Sequence, residues 1–191
     1  MVSKEQFLEI ELSEENTSLD WSWETSKPDQ WSCRTASAEE IKAAHPEFEE
    51  YLGDWLGSQN IVIEECGQIL GCCSLYNRDC DSSAIVTNKY VLRSERKQGL
   101  GSELSKAVRR YAKEIGYQTL KGGIPGIWKE VNGQLHVADP NEYRMLYGQN
   151  GGVDSWHAIL NAGSVIVTNI RYQPSAQKET EFFGVTYSVR L

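Results

Sequence analysis

Between residues 60 and 92 the apolar positions come in short β-rich runs, NIVIEE at 60–65, QILGCCSL at 68–75 and AIVTNKYVL at 84–92. The first two flank Cys66-Gly67 and predict an antiparallel hairpin. Residues 77–83 (NRDCDSS) predict a polar turn, and 84–92, rich in β-branched residues, predicts a further and central strand. The rhythm then changes. Leu104, Val108, Tyr111, Ala112 and Ile115 recur at helical spacing, and Gly116 stands where a glycine closes a helix. Upstream, Ser37 and Glu40 have capping-box spacing ahead of Ile41, Ala44 and Phe48. Pro46 divides that stretch into two short helices, the second lined by Tyr51, Leu52, Trp55 and Leu56.

Tyr117 begins another strand, and Asn132-Gly133 between two alternating runs predicts a hairpin over 128–137. Asp139-Pro140 opens a short helix carrying Tyr143, Leu146 and Tyr147, ended by Asn150 to Gly152. Asp154 or Ser155 caps a helix over 156–161, closed by Ala162-Gly163. Strands over 164–170 and 182–191 follow, joined by a polar loop. A short strand is expected at 31–35. Residues 1–30 read as an acidic N-terminal extension, and 31–191 as one domain with an insertion at about 122–152.

Composition narrows the function classes. Among 191 residues, 27 acids against 19 lysines and arginines leave a net charge of −8. That balance disfavours nucleic acid, whose binders present basic patches, although Arg109, Arg110 and Lys113 keep phosphate contacts open. No apolar run reaches the roughly 18–20 residues of a membrane span. The first residues lack the basic-then-apolar layout of a secretory signal, so a cytoplasmic protein without membrane attachment is expected. Five cysteines, Cys33, Cys66, Cys72, Cys73 and Cys80, form no CxxC pair or Cys/His ligand pattern. They read as reduced structural thiols, and no metal site is expected.

The stretch from Val91 to Ser102, VLRSERKQGLGS, concentrates the chemistry. It is a strand, a tight turn and a helix start. Gly99 and Gly101 let backbone amides approach an anion without a Cβ in the way. The helix N-terminus adds donors and partial positive charge, and Arg96 and Lys97 add cations. Such a nest suits a diphosphate. The chain lacks both the Walker pattern Gly-x-x-x-x-Gly-Lys-Ser/Thr and a Gly-x-Gly-x-x-Gly after a first strand.

Arg96-x-x-Gly99-x-Gly101, with Val91 five residues earlier, resembles the acetyl-CoA signature of the GNAT superfamily. Ser155-x-x-x-Ile159-x-x-x-Gly163 resembles that family's second conserved helix, and the order of elements from about residue 31 to 191 is similar. The resemblance implies an α+β fold, with a mixed, mostly antiparallel sheet of about six or seven strands and helices on both faces. It implies two central strands that splay beside the signature loop to admit the pantetheine arm of acetyl-CoA or another acyl-CoA. The backbone around Val91 and Leu92 would face that arm and the acyl carbonyl. Arg96, Lys97, Gln98, Gly99, Leu100, Gly101 and Ser102 would cradle the pyrophosphate, with Ser155 as cap or cofactor contact. The implied reaction is direct attack of a primary amine, on a small molecule or a protein, on the thioester in a ternary complex.

The proton-transfer residues depart from the family pattern. Ile159 stands where many members carry a tyrosine, Gly152 where an asparagine is frequent, Ser164 where a phenylalanine is usual, and Ile85 near a glutamate position. The remaining candidates are His136, Tyr143, His157 and Asp81, with Tyr147 beside them. Each also has a plain reading as a packed or solvated side chain. The segment 122–152 either shapes the acceptor site or is a structural elaboration, with a homodimer contact as one form of it. A second functional reading is a degenerate member that binds acyl-CoA as a sensor or interaction module.

Overall fold

Strand after strand here is apolar on both sides, which a sheet sandwiched between helices requires. A computed structural model describes residues 22–52, 59–76, 82–131, 134–139, 142, 153–173 and 181–191. Among these residues nine strands form one sheet: β1 (Ser22–Glu24), β2 (Ser32–Ala36), β3 (Gln59–Glu65), β4 (Gln68–Tyr76), β5 (Ser83–Val91), β6 (Thr119–Val131), β7 (Gln134–Val137), β8 (Ile166–Gln173) and β9 (Glu181–Arg190). Their order is β1-β2-β3-β4-β5-β6-β9-β8, with β7 pairing β6. The β5–β6 pair is parallel and the other pairs are antiparallel.

Among the described residues, four helices cover the faces: α1 (Ala38–Ala44), α2 (Pro46–Leu52), α3 (Leu100–Glu114) and α4 (Val153–Asn161). Successive side chains of a strand take opposite faces. Ile61, Ile63 and Cys73 therefore join the core under α3, with Leu104, Val108 and Tyr111. Val62, Cys72 and Leu92 join a second core with Ile41, Phe48 and Leu52 of α1 and α2. The adjacent cysteines are thus core side chains on opposite faces, and burial pushes the Cys33 and Cys73 thiols up to about 12. Ser37 caps α1 as the expected box requires, its hydroxyl accepting from the Glu40 amide at 3.1 Å and its own amide bonding the Glu40 carboxylate.

The mixed, mostly antiparallel sheet with helices on both faces is as expected, but it is wider than six or seven strands. Residues 22–24, inside the expected extension, pair with 32–34 as an edge strand. Their attachment has a cause beyond the pairing. The Ser26 amide and hydroxyl both donate to the carboxylate of Glu103 on α3, each at 2.9 Å, and Lys106 Nζ donates to it at 2.7 Å. Burial opposes ionisation of Glu103, yet these donors outweigh it and hold its carboxyl below the ordinary value. The hairpin predicted around Asn132-Gly133 is present as β6 and β7, the register running from Trp128–Val137 to Val131–Gln134. The turn pair itself, and all of the helix predicted after Asp139 except Glu142, lie outside the described residues. Helix α4 begins at Val153, so Asp154 and Ser155 belong to its first turn rather than capping it.

Candidate active site

The site originates where β5 and β6 part. Their register runs only from Ser83–Thr119 to Ile85–Lys121. Beyond Ile85, β5 continues six residues to Val91, about 20 Å at 3.3 Å per residue, along one wall of a cavity of about 470 Å³. The cavity takes Val86, Thr87, Lys89 and Val91 from β5, and Gly123 and Ile124 from β6. Ile124 also marks a bulge against β9, since Ile124 pairs Val185 while Trp128 pairs Phe183. Four steps on β6 answer two on β9, and this bends β6 away from β5.

At the mouth, Arg93–Glu95 make a single 3-10 turn, and Lys97 takes a left-handed φ of +67°. Gly99 is the N-cap of α3 at φ +98°, a conformation that only glycine adopts cheaply. The carbonyl of Gly99 accepts from the amides of Ser102 and Glu103 at 2.9 and 3.2 Å. This aims the opening of α3 at the cavity, where Lys97, Gly99, Leu100, Gly101 and Ser102 all line the wall. The amides at the start of a helix have no partner within it, so this rim is suited to a diphosphate. Gly101 also marks where α4 packs on α3: a Cβ there would stand 3.4 Å from Cβ of Ala158, in van der Waals contact.

The loop is braced from both sides. Arg96 Nε donates to the Val91 carbonyl at 3.0 Å, and its guanidinium stands 5.1 Å from the Tyr90 ring centroid. Tyr90 Oη donates to Glu47 of α2 at 2.7 Å, and the same carboxylate accepts from the Arg93 amide at 3.3 Å. The tyrosine hydrogen bond foremost, against the cost of burial, holds Glu47 below the ordinary carboxylate value. Arg96 lines the cavity but is engaged with the backbone, so it is less a mobile screening cation than expected.

The expected site residues separate into groups. Val91 lines the cavity with the loop residues 96, 97 and 99–102. Leu92 turns into the core under α1 and α2, and the exposed Gln98 donates to Glu95 at 3.1 Å, so their side chains lie away from the cavity wall. His157 is exposed at the cavity. His136 is exposed on β7, opposite Lys129, and does not line it. Asp81, Tyr143 and Tyr147 lie outside the described residues, as does the side chain of Ser155. Ile159 is buried in the cavity wall, so an aliphatic group occupies that place. Arg109, considered for phosphate contact, instead donates to the carbonyls of Ile159, Ser164 and Gly163 at 2.9, 3.3 and 3.4 Å, closing the C-terminal end of α4.

Two further cavity residues went unremarked in the sequence. Lys89 of β5 reaches towards α3 and donates to Ser105 Oγ at 3.1 Å, and Ser105 in turn donates to the Gly101 carbonyl at 2.8 Å. Burial foremost, with the positive charge of Arg109 and against the influence of Cys73, lowers the Lys89 ammonium to about 8. Tyr187 of β9 lies across Gly122, its cross-strand partner. A Cβ at Gly122 would fall 2.5 Å from the phenol oxygen. Burial first, then Cys73, keeps that phenol protonated against the opposing influence of Arg109. The available signals were a lysine interrupting an apolar strand, and a glycine inside a strand, which marks close approach of another group.

A parallel pair that parts within a mixed sheet, with a glycine-opened helix at the parting, is the framework of this class of protein. The model of the Acetyltransferase (GNAT) family matches residues 19–122, more than half of the chain, which belongs to that family. Among solved structures, the ribosomal-protein-S18-alanine N-acetyltransferase from Escherichia coli superposes with a TM-score of 0.57 at 12% identity, over 84% of this chain and 93% of that one. The yncA protein from Salmonella typhimurium, solved with its cofactor acetyl-CoA, gives 0.57 at 15% identity, over 85% and 94%. A GNAT family acetyltransferase from Elizabethkingia anophelis with acetyl-CoA bound gives 0.51 at 17% identity, over 85% and 99%. A search of curated proteins found no match. Among the described residues, no helix is long and apolar enough to cross a membrane.

Proposed function

We propose that this protein is an acyl-CoA-dependent N-acyltransferase that moves an acyl group, an acetyl in the simplest case, to a primary amine in the cytoplasm. The observation that carries this reading is the parting of β5 and β6 beside the opening of α3, which joins an anion-binding rim to a 20 Å strand edge. The amides from Lys97 to Gly101 hold the diphosphate of the acyl-CoA, the Ser102 amide being engaged by the Gly99 carbonyl. The β5 edge from Val86 to Val91 offers backbone groups to the arm as a neighbouring strand would. Bound acyl-CoA supplies an activated thioester carbonyl. The protein's part is to orient it, to exclude water with the Val86, Ile124 and Ile159 wall, and to place the amine in the same cavity. His157 at the cavity mouth is positioned to take a proton from the incoming amine, directly or through water. His136, Tyr143 and Asp81 are candidates of the acceptor side, and the 122–152 segment shapes that side.

The aliphatic Ile159 in the cavity wall favours a second reading, an acyl-CoA-binding sensor without turnover. One experiment separates the two. Acetyl-CoA is incubated with the protein and a panel of amines that includes polyamines, amino acids and peptides with free amino termini, and released CoA is measured. Release that depends on one class of amine establishes transfer. Calorimetric binding of acetyl-CoA without release from any amine establishes the sensor. Absence of binding refutes both.

A further inference from the structure

Lys89 sits at an irregularity in β5. Between Cys72–Tyr90 and Ser74–Thr87, β4 advances two residues while β5 advances three. The extra residue is a bulge at 88–89, a device that re-aims a side chain and recurs beside active sites. Its consequence is visible in the partners. Tyr90 turns to Glu47 beneath α2, whereas Lys89 turns to Ser105 on α3, the face that carries the diphosphate rim and the Ile159 wall. An acyl-CoA whose diphosphate occupies the rim and whose arm follows the β5 edge brings its sulfur along the middle of that edge, where Lys89 is the cationic side chain of β5.

We propose that Lys89 is the catalytic acid of the transfer, giving its proton to the sulfur of the departing coenzyme A. This rests on the acyl-CoA reading above and supplies the group that Ile159 cannot. The step balances. The amine nitrogen forms a bond to the acyl carbon and gives up one proton to His157, directly or through water, and the carbon–sulfur bond breaks with its electron pair on sulfur. The Lys89 ammonium then protonates that thiolate, and the neutral amine left on Lys89 regains a proton from solvent. The surroundings suit the role. Lys89 faces Cys73 from β4 and Ser105 and Arg109 from α3, while Tyr187 of β9 and His157 of α4 line the same cavity. The Cys73 thiol and the Tyr187 phenol are held protonated by burial, and Arg109 is bound to the end of α4. Of Cys73, Tyr187, Arg109 and Lys89, it is Lys89, lowered to about 8, whose proton is readily exchanged near neutrality, while His157 serves the amine.

The test reads the sulfur directly and needs no acceptor. Free coenzyme A is bound to the whole protein, with affinity from calorimetry. Its thiol is titrated by the ultraviolet absorbance of the thiolate, with desulfo-CoA as the blank for the protein's own groups. An ammonium beside the sulfur lowers the thiol pKa by roughly one unit or more. The lowering disappears in Lys89→Met, is retained in Lys89→Arg, and survives Tyr187→Phe, while affinity stays within about threefold, well under 1 kcal/mol. An unchanged thiol pKa in Lys89→Met overturns the proposal. So does loss of coenzyme A binding in that variant, which makes Lys89 a binding residue. If the unaltered protein binds no coenzyme A, the acyl-CoA reading falls and this inference with it. Binding with no Lys89-dependent lowering removes this inference alone.

Discussion

Replacing Lys89 with methionine is expected to stabilise the protein at neutral pH. The ammonium is buried and titrates at about 8 instead of the ordinary 10.5. A depressed lysine value means that the folded state binds its proton more weakly than the unfolded chain does. The penalty is full below about 8 and fades as pH rises towards 10.5. At pH 7 the shift of about 2.5 units corresponds to roughly 3 kcal/mol, at 1.36 kcal/mol per unit. Methionine fills similar space but forfeits the bond to Ser105 Oγ, worth about 1–2 kcal/mol, so a net gain of about 1–2 kcal/mol is expected. The pH dependence is the sharper quantity. By about pH 9.5 only one unit of the penalty remains, and the advantage of Lys89→Met shrinks by about 2 kcal/mol. Urea unfolding followed by tryptophan fluorescence, on both proteins at both pH values, measures the gap. Taking the difference between proteins cancels the other titrating groups to first order. A destabilised variant at pH 7, or a gap that does not change with pH, refutes the reasoning. A residue that costs stability where it stands is characteristic of a functional position, and loss of activity with gain of stability is the pattern expected here.

Three other outcomes follow from the same structure. Gly99→Val places a branched side chain at φ +98°, a strain of about 1–3 kcal/mol; calorimetry should show at least roughly tenfold weaker coenzyme A binding, and unaltered affinity would exclude the rim. Glu103→Gln removes the charge that holds Ser26 and Lys106, at about 1–2 kcal/mol by denaturant titration. Because Glu103 titrates below its unfolded value, the unaltered protein also loses stability as pH falls through the carboxylate range, and in Glu103→Gln that acid slope flattens. Gly122→Ala drives a methyl into the Tyr187 phenol and should cost about 1–3 kcal/mol. The cost shrinks in a Tyr187→Ala background, and a strictly additive double variant would mean that the two do not touch.

The local rules of the chain carried a long way. Short β-rich runs bounded by turn residues located the strands from β3 to β5, the 104–115 spacing located α3, and Asn132-Gly133 located the β6–β7 hairpin. Turn chemistry and side-chain period are properties of neighbours in the chain, so a sequence states them directly. The rim was legible for the same reason: the glycines, the basic residues and the helix start lie within about ten residues. The edge strand β1 was not legible, because three residues carry little period and its hold comes from Glu103, 77 positions from Ser26.

What the sequence by itself determined was thus the order of most elements, the family and the glycine-marked turn that opens α3. The tertiary structure decided which face each cavity residue serves. A one-residue bulge turns Lys89 towards α3, a distant glycine makes room for Tyr187, and Arg109 is spent on the end of α4 instead of on a ligand. Each of these depends on register between strands or on packing between elements far apart in the chain. Such relations are fixed by the summed burial of the whole sheet, and no local pattern of residues expresses that sum.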